Sequence, residues 1–173
     1  MIAAQNGLDL QCADIQNAFL TAPAIKKCYM VVAGPEFGDK EGKVFIVRRA
    51  LYGLKESSAA FRSHLAETLE ELGFWSSTAD PDVWMRAAVK PDGEKYYEYI
   101  LCYDDDILCM SMKAKEVMKG IGRVFKFKKG KIEPPESYLG ASLRKKYLDG
   151  VDMWTMSSYD YVVVAVLEED ATE

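Results

Sequence analysis

Tyr99-Ile100-Leu101-Cys102-Tyr103-Asp104-Asp105-Asp106-Ile107-Leu108-Cys109-Met110 is the stretch on which the fold turns. Apolar residues flank three consecutive acids, which reads as two buried strands joined by a tight acidic turn. An ordinary exposed hairpin carries Asn-Gly or Asp-Gly at its centre. This turn gives up that chemistry for charge. Two unit charges about 4 Å apart repel by about 4 kcal/mol at an effective dielectric near 20. The trio therefore needs a cation, raised carboxyl pKa values or full solvation. Hard oxygen ligands on a turn suit Mg²⁺, with Mn²⁺ as the alternative. The plainer alternative is a solvated acidic hairpin.

A metal site for phosphoryl transfer needs further carboxylates from another strand, because two ions must bridge the attacking and leaving oxygens. Asp14 is the best donor: it lies in Leu8–Phe19, a buried strand running into a turn. Spacing alone cannot bring it to Asp105, about ninety residues away.

Further strands are expected at Cys28–Val32, Lys43–Arg49, Val83–Val89, Tyr138–Lys146 and Met153–Met156. Pro91-Asp92-Gly93 marks a hairpin turn. Ser57–Gly73 is the clearest helix: Phe61, Leu65, Leu69 and Leu72 share a face, Ser57 or Ser58 can cap its start, and Gly73 can end it. His64 reads as a surface or boundary residue of that helix. A second helix follows Ser111, with Ala114, Val117, Met118, Ile121, Val124 and Phe125 as its apolar face, weakened by Gly120 and Gly122. Tyr159–Asp170 is open between helix and strand. Helices and strands mix without strict alternation, which favours an α+β fold.

The chain has 173 residues, 49% of them hydrophobic, values that exclude a disordered or collagen-like polymer. Its net charge of −5 argues at first against a nucleic-acid partner. The charge is uneven, however. Residues 113–131 hold eight bases and one acid, Glu116, whereas 132–173 hold nine acids and three bases. A local basic stripe on an acidic chain is compatible with a phosphate backbone; the alternative is a solvated helix face. Cys12, Cys28, Cys102 and Cys109 form no Cys-x-x-Cys pair and the only His is His64, so structural zinc is poorly supported. No signal peptide or membrane span is expected, and the cysteines read as reduced thiols of a cytoplasmic protein, the nucleus being the alternative.

Five blocks, taken in order, carry a resemblance. Asp14-Ile15-Gln16-Asn17-Ala18-Phe19-Leu20 is similar to Asp-Val-Lys-x-Ala-Phe-Leu of copia-type LTR retrotransposon reverse transcriptases. Tyr29-Met30 with Gly34-Pro35-Glu36-Phe37 resembles that family's Tyr-Met-x-x-Pro-x-Gly-Phe. Ala50-Leu51-Tyr52-Gly53-Leu54-Lys55-Glu56-Ser57 is close to its Leu-Tyr-Gly-Leu-Lys-Gln-Ser-Pro. Tyr103-Asp104-Asp105-Asp106-Ile107-Leu108 resembles Tyr-Val-Asp-Asp-Ile-Leu, and Tyr138-Leu139-Gly140 resembles Phe-Leu-Gly. The chain departs from the pattern at Asp104, where the family has Val, and at Ser58, where it has Pro.

The resemblance implies an RNA-directed DNA polymerase fragment with a right-hand polymerase palm: a ferredoxin-like antiparallel sheet, helices on one face, and part of the fingers. It places the incomplete palm in residues 1–158 and an acidic tail without a clear family counterpart in 159–173. It implies that Asp14, Asp105 and Asp106 hold two Mg²⁺ ions and carry catalysis. Phe19, Gly53, Lys55, Ser57 and Lys128 would contact the nucleotide, Phe19 by blocking a ribose 2′-hydroxyl. Tyr138, Leu139 and Gly140 would contact the primer end. The implied partners are an RNA or DNA template-primer, deoxynucleoside triphosphates and other retrotransposon polyprotein domains, with no membrane. Two rival expectations are a catalytically inactive remnant that keeps the palm fold, and an unrelated metal- or partner-binding α+β domain.

Overall fold

Central strands that are apolar on both faces must be covered on both. The computed structural model, which describes residues 2–23 and 29–159, meets that requirement with different material on each side. The chain runs α1 (Ile2–Gln5), β1 (Asp9–Asp14), α2 (Ala18–Thr21), β2 (Met30–Val32), β3 (Val44–Ile46) and α3 (Ser57–Glu71). It continues through β4 (Trp75–Ser76), β5 (Val83–Val89), β6 (Lys95–Tyr103), β7 (Asp106–Ser111) and α4 (Ala114–Ile121). The last elements are β8 (Ser137–Tyr138), β9 (Ala141–Leu148) and β10 (Val151–Ser157).

The main sheet has five antiparallel strands in the order β1-β7-β6-β5-β4. Residues 126–133 run along the remaining edge of β1, through bridges Cys12–Glu133 and Ile15–Phe127. On one face, Ala13, Ile100, Cys102, Ile107 and Cys109 join Phe61, Leu65 and Leu69 of α3 and Val117, Met118 and Ile121 of α4 in the larger core cluster. On the other face, Leu10 and Leu108 are covered by Ala3 and Leu8, with Tyr138 and Trp154 from the second sheet, β10-β9-β8, packed alongside. Burial pushes the Cys102 thiol up to about 12 and raises Cys109 as well, which keeps both protonated and unreactive.

Several expectations are corrected. Ser57 does not cap α3. Its hydroxyl donates backward to the Leu51 carbonyl at 2.5 Å, and Glu56 occupies the N-cap with its carboxylate turned to the Tyr29 hydroxyl rather than to the helix N–H groups. The second helix stops at Ile121, so Val124 is 48% exposed rather than part of the buried face. Gly120 and Gly122 have a packing reason. A Cβ on Gly120 would meet Leu72 Cδ2 at 3.2 Å, and one on Gly122 would meet Phe127 Cε2 at 3.1 Å. The strand expected over Tyr138–Lys146 is broken by a turn at Leu139-Gly140. Lys43–Arg49 keeps only Val44–Ile46 as strand, paired with Met30–Val32 in an exposed ribbon. Cys28 and residues 160–170 lie outside the described residues.

One polar row crosses the helix-covered face. Arg86 and Glu98 stand opposite each other in β5 and β6, with Nε to Oε2 at 2.7 Å. Ser111 Oγ donates to Glu98 Oε1 at 2.6 Å. Arg86 also donates to the Leu72 carbonyl at 2.6 Å and lies over the Phe74 ring, 4.4 Å from its centroid. The arginine thus ties the end of α3 to the sheet, and Glu98, 4% exposed, is the anion it compensates. Removing one partner of a buried pair costs more than removing both. We expect Arg86→Met to lower the unfolding free energy by about 3 kcal/mol in urea, and Arg86→Met/Glu98→Met to recover most of it. A double variant no more stable than the single one would contradict this account.

Candidate active site

The β1–β7 register brings Asp14 directly opposite Asp106. The Ile15 N–H donates to the Asp105 carbonyl at 2.8 Å, which makes Asp14/Asp106 a non-hydrogen-bonded pair. Such pairs hold their Cα atoms about 4.5 Å apart with side chains on one face. The ninety-residue gap that spacing could not bridge is closed by this ladder. The acidic turn has only two central residues, Asp104 and Asp105, between Tyr103 and Asp106. Asp104 takes the left-handed conformation, φ 47°. Asp tolerates that region better than a β-branched residue does, which gives the departure from Val a backbone rationale.

Asp14 and Asp106 line an open cleft of about 570 Å³ with Cys12, Lys128, Lys129, Lys131, Glu133, Ser137 and the Tyr138-Leu139-Gly140 turn. Lys128 Nζ lies 2.8 Å from Asp14 Oδ2. That hydrogen bond, with the charge of Asp14, raises the Lys128 pKa. The Asp106 carboxyl is raised as well, by partial desolvation first, then by the charges of Asp105 and Asp14, with Lys128 opposing. Burial also raises the Tyr138 hydroxyl.

The expected site residues fall into two groups. Asp14, Asp106, Lys128, Tyr138, Leu139 and Gly140 share the cleft, while Asp105 stands half-buried in the turn. Phe19 packs on Tyr52, ring centroids 4.5 Å apart, and on Phe61 at 6.1 Å. This contact joins the Phe19 turn to the Leu51–Leu54 block, where Gly53 has φ 90°. Lys55 is exposed there, whereas Ser57 is 1% exposed with its hydroxyl engaged. Cys12, Glu133 and Ser137 were not among the expected site residues. Strand alternation marks Cys12, two residues before Asp14 and so on its face; nothing in the local sequence marks Glu133.

Carboxylates opposed across two strands, beside a lysine-lined cleft, are hard-oxygen donors of the kind that suit a divalent cation. Among the described residues, no three His, Cys, Asp or Glu side chains converge as a ready cluster. The donor chemistry fits Mg²⁺ at the Asp14–Asp106 pair, and the third carboxylate stands next to it in sequence.

The chain matches the Reverse transcriptase (RNA-dependent DNA polymerase) family over residues 1–173 and belongs to it. It is 31% identical over 109 residues to the Retrovirus-related Pol polyprotein from transposon RE1 of Arabidopsis thaliana, covering 62% of this chain and 7% of that polyprotein. The corresponding polyprotein from transposon RE2 of the same plant gives the same identity and coverage. The likeness to copia-type elements holds, and the chain spans about 7% of the length of these curated relatives. No helix among the described residues is long and apolar enough to cross a membrane.

Two expected outcomes follow from the charges and the strain. A carboxyl raised above its unfolded value stabilises the fold below the unfolded pKa, and that contribution is lost as pH rises through the folded pKa. Asp106→Asn therefore raises the melting temperature slightly at pH 7 in EDTA, an effect muted by solvent screening at this exposed side chain, and the gain disappears near pH 3. Leu139, 57% exposed, has φ 49° in a two-residue turn that prefers Asn-Gly. Leu139→Asn should stabilise by about 1 kcal/mol in urea titrations, since Asn accepts that region more readily.

Proposed function

We propose that this chain is the palm and part of the fingers of an RNA-directed DNA polymerase, adding deoxynucleotides to a primer 3′-hydroxyl. The observation that carries the reading is the opposed Asp14–Asp106 pair in a cleft lined by Lys128, Lys129 and Lys131 and by Tyr138-Leu139-Gly140. The edge segment 126–133, then β1, β7 and β6, with α3 and α4 on one face, supports a ferredoxin-like palm.

In this reading Asp14, Asp105 and Asp106 hold two Mg²⁺ ions, with Mn²⁺ as the alternative. Held there, the ions would supply Lewis-acid activation for the primer hydroxyl and positive charge for the triphosphate. The chain's own contribution is placement. The β1–β7 ladder fixes two carboxylates, and the 126–133 edge brings lysines to the anionic side of the reaction. Tyr138, Leu139 and Gly140 hold the primer end against the cleft. Phe19, braced by Tyr52 and Phe61, crowds the ribose 2′ position. Gly53, Lys55 and Ser57 frame the nucleotide, Ser57 by holding the Leu51 carbonyl. The partners are a template-primer, deoxynucleoside triphosphates and the other domains of a retrotransposon polyprotein.

Primer extension on an RNA template with Mg²⁺ tests this. Extension by the chain should fall to background in Asp105→Asn and Asp106→Asn, and equal activity in either variant would remove the assigned mechanism. A second reading, a remnant that keeps the fold without catalysis, is favoured by the absence of a ready three-carboxylate cluster among the described residues. It predicts no extension even with Mn²⁺, alongside nucleic-acid binding that weakens steeply with salt.

A further inference from the structure

A cation already reaches Asp14. The Lys128 ammonium sits 2.8 Å from Asp14 Oδ2, and neither group is sealed from water, with 63% and 31% of their side chains exposed. The lysine's backbone, by contrast, is anchored. Gln16 N–H donates to the Lys126 carbonyl at 2.8 Å, and Ile15 bridges Phe127. Gly130 N–H closes a turn onto the Phe127 carbonyl at 2.9 Å, with Lys129 and Gly130 both left-handed. The root of Lys128 is therefore held beside β1, while its flexible stem lets the head leave Asp14 without moving the fold.

We propose that Lys128 is a stand-in cation. It neutralises Asp14 before a divalent ion binds, gives Asp14 up when the ion occupies the Asp14–Asp106 pair, and then presents its ammonium to the cleft. This rests on the metal-site reading above and adds a coupling to it. The ammonium and the ion compete for one carboxylate, so each weakens the other's hold by the same factor. An exposed ion pair is weak, so the competition costs the ion little. The displaced ammonium joins Lys129 and Lys131 on the cleft wall, where clustered positive charge draws in a polyanion. Metal occupancy would thereby raise the attraction of the cleft for phosphate.

Mn²⁺ binding to the whole chain, without nucleotide and at low salt, tests this by electron paramagnetic resonance of the free ion. Lys128→Met should tighten Mn²⁺ roughly two- to fivefold, the range an exposed pair supports. Lys128→Arg should stay near wild type. Lys131→Met, which removes a charge paired with Glu133 at 3.4 Å, should change binding less than Lys128→Met does. Unchanged or weaker binding in Lys128→Met, or an equal gain in Lys131→Met, overturns the stand-in role while leaving the metal site intact. No measurable Mn²⁺ binding in either wild type or Lys128→Met overturns both, as does binding that survives Asp106→Asn unchanged. A second readout uses Mg²⁺ and ¹³C-methylated lysines. The resonance missing from Lys128→Met should shift on Mg²⁺ addition, and a resonance that stays still counts against displacement.

Discussion

Two carboxylates forced to face each other across one rung of a sheet are the constraint around which this molecule is arranged. Asp14 and Asp106 belong to the closer kind of antiparallel pair, on the same face, at the mouth of a cleft. The separation of their Cα atoms follows from backbone hydrogen bonds, so side-chain rotation can turn the carboxylates but cannot part the two residues. What can relieve their repulsion is positive charge. The edge segment 126–133 brings that charge alongside β1 as part of the fold, which leaves the stability of the sheet and the chemistry of the cleft sharing one set of contacts.

The register itself is held from elsewhere. Ile100, Cys102, Ile107 and Cys109 point toward α3 and α4, and Leu101 and Leu108 point toward the opposite face. With apolar residues required on both sides, no slip of β7 against β6 is free of burial cost. The Arg86–Glu98–Ser111 row adds a polar lock on the helix-covered side. Charge elsewhere is sorted in space. The lysines of α4 face water, whereas Lys128, Lys129 and Lys131 turn onto the cleft, so a net-acidic chain keeps a basic lip where it meets its own acids.

What was legible in the sequence was what local chemistry decides. The acidic turn between apolar runs, the helix over Ser57–Glu71, Val83–Val89 and the Pro91-Asp92-Gly93 turn all follow from patterns of a few residues. Asp14 was placed by resemblance, since no local pattern reports a partner so far along the chain. The Arg86–Glu98 pair was invisible because each residue alone reads as an exposed charge on a strand. The Ser57 cap failed because a serine before a helix can bond forward or backward, and the Leu51 carbonyl lies within reach. The turn at Leu139-Gly140 was hidden because leucine is a poor marker of a left-handed position.

The two-residue turn at Asp104-Asp105 has a consequence for heredity. Side chains alternate faces along a strand, so one codon lost or gained in β1 or β7, if the register shifted to absorb it, would turn a carboxylate to the opposite side. Substitutions that keep the apolar pattern and the Arg86–Glu98–Ser111 row leave that geometry standing. Conservative residue changes and in-frame indels therefore act differently on this hairpin: the former keep Asp14 and Asp106 on one face, whereas a register-shifting indel separates them in one step.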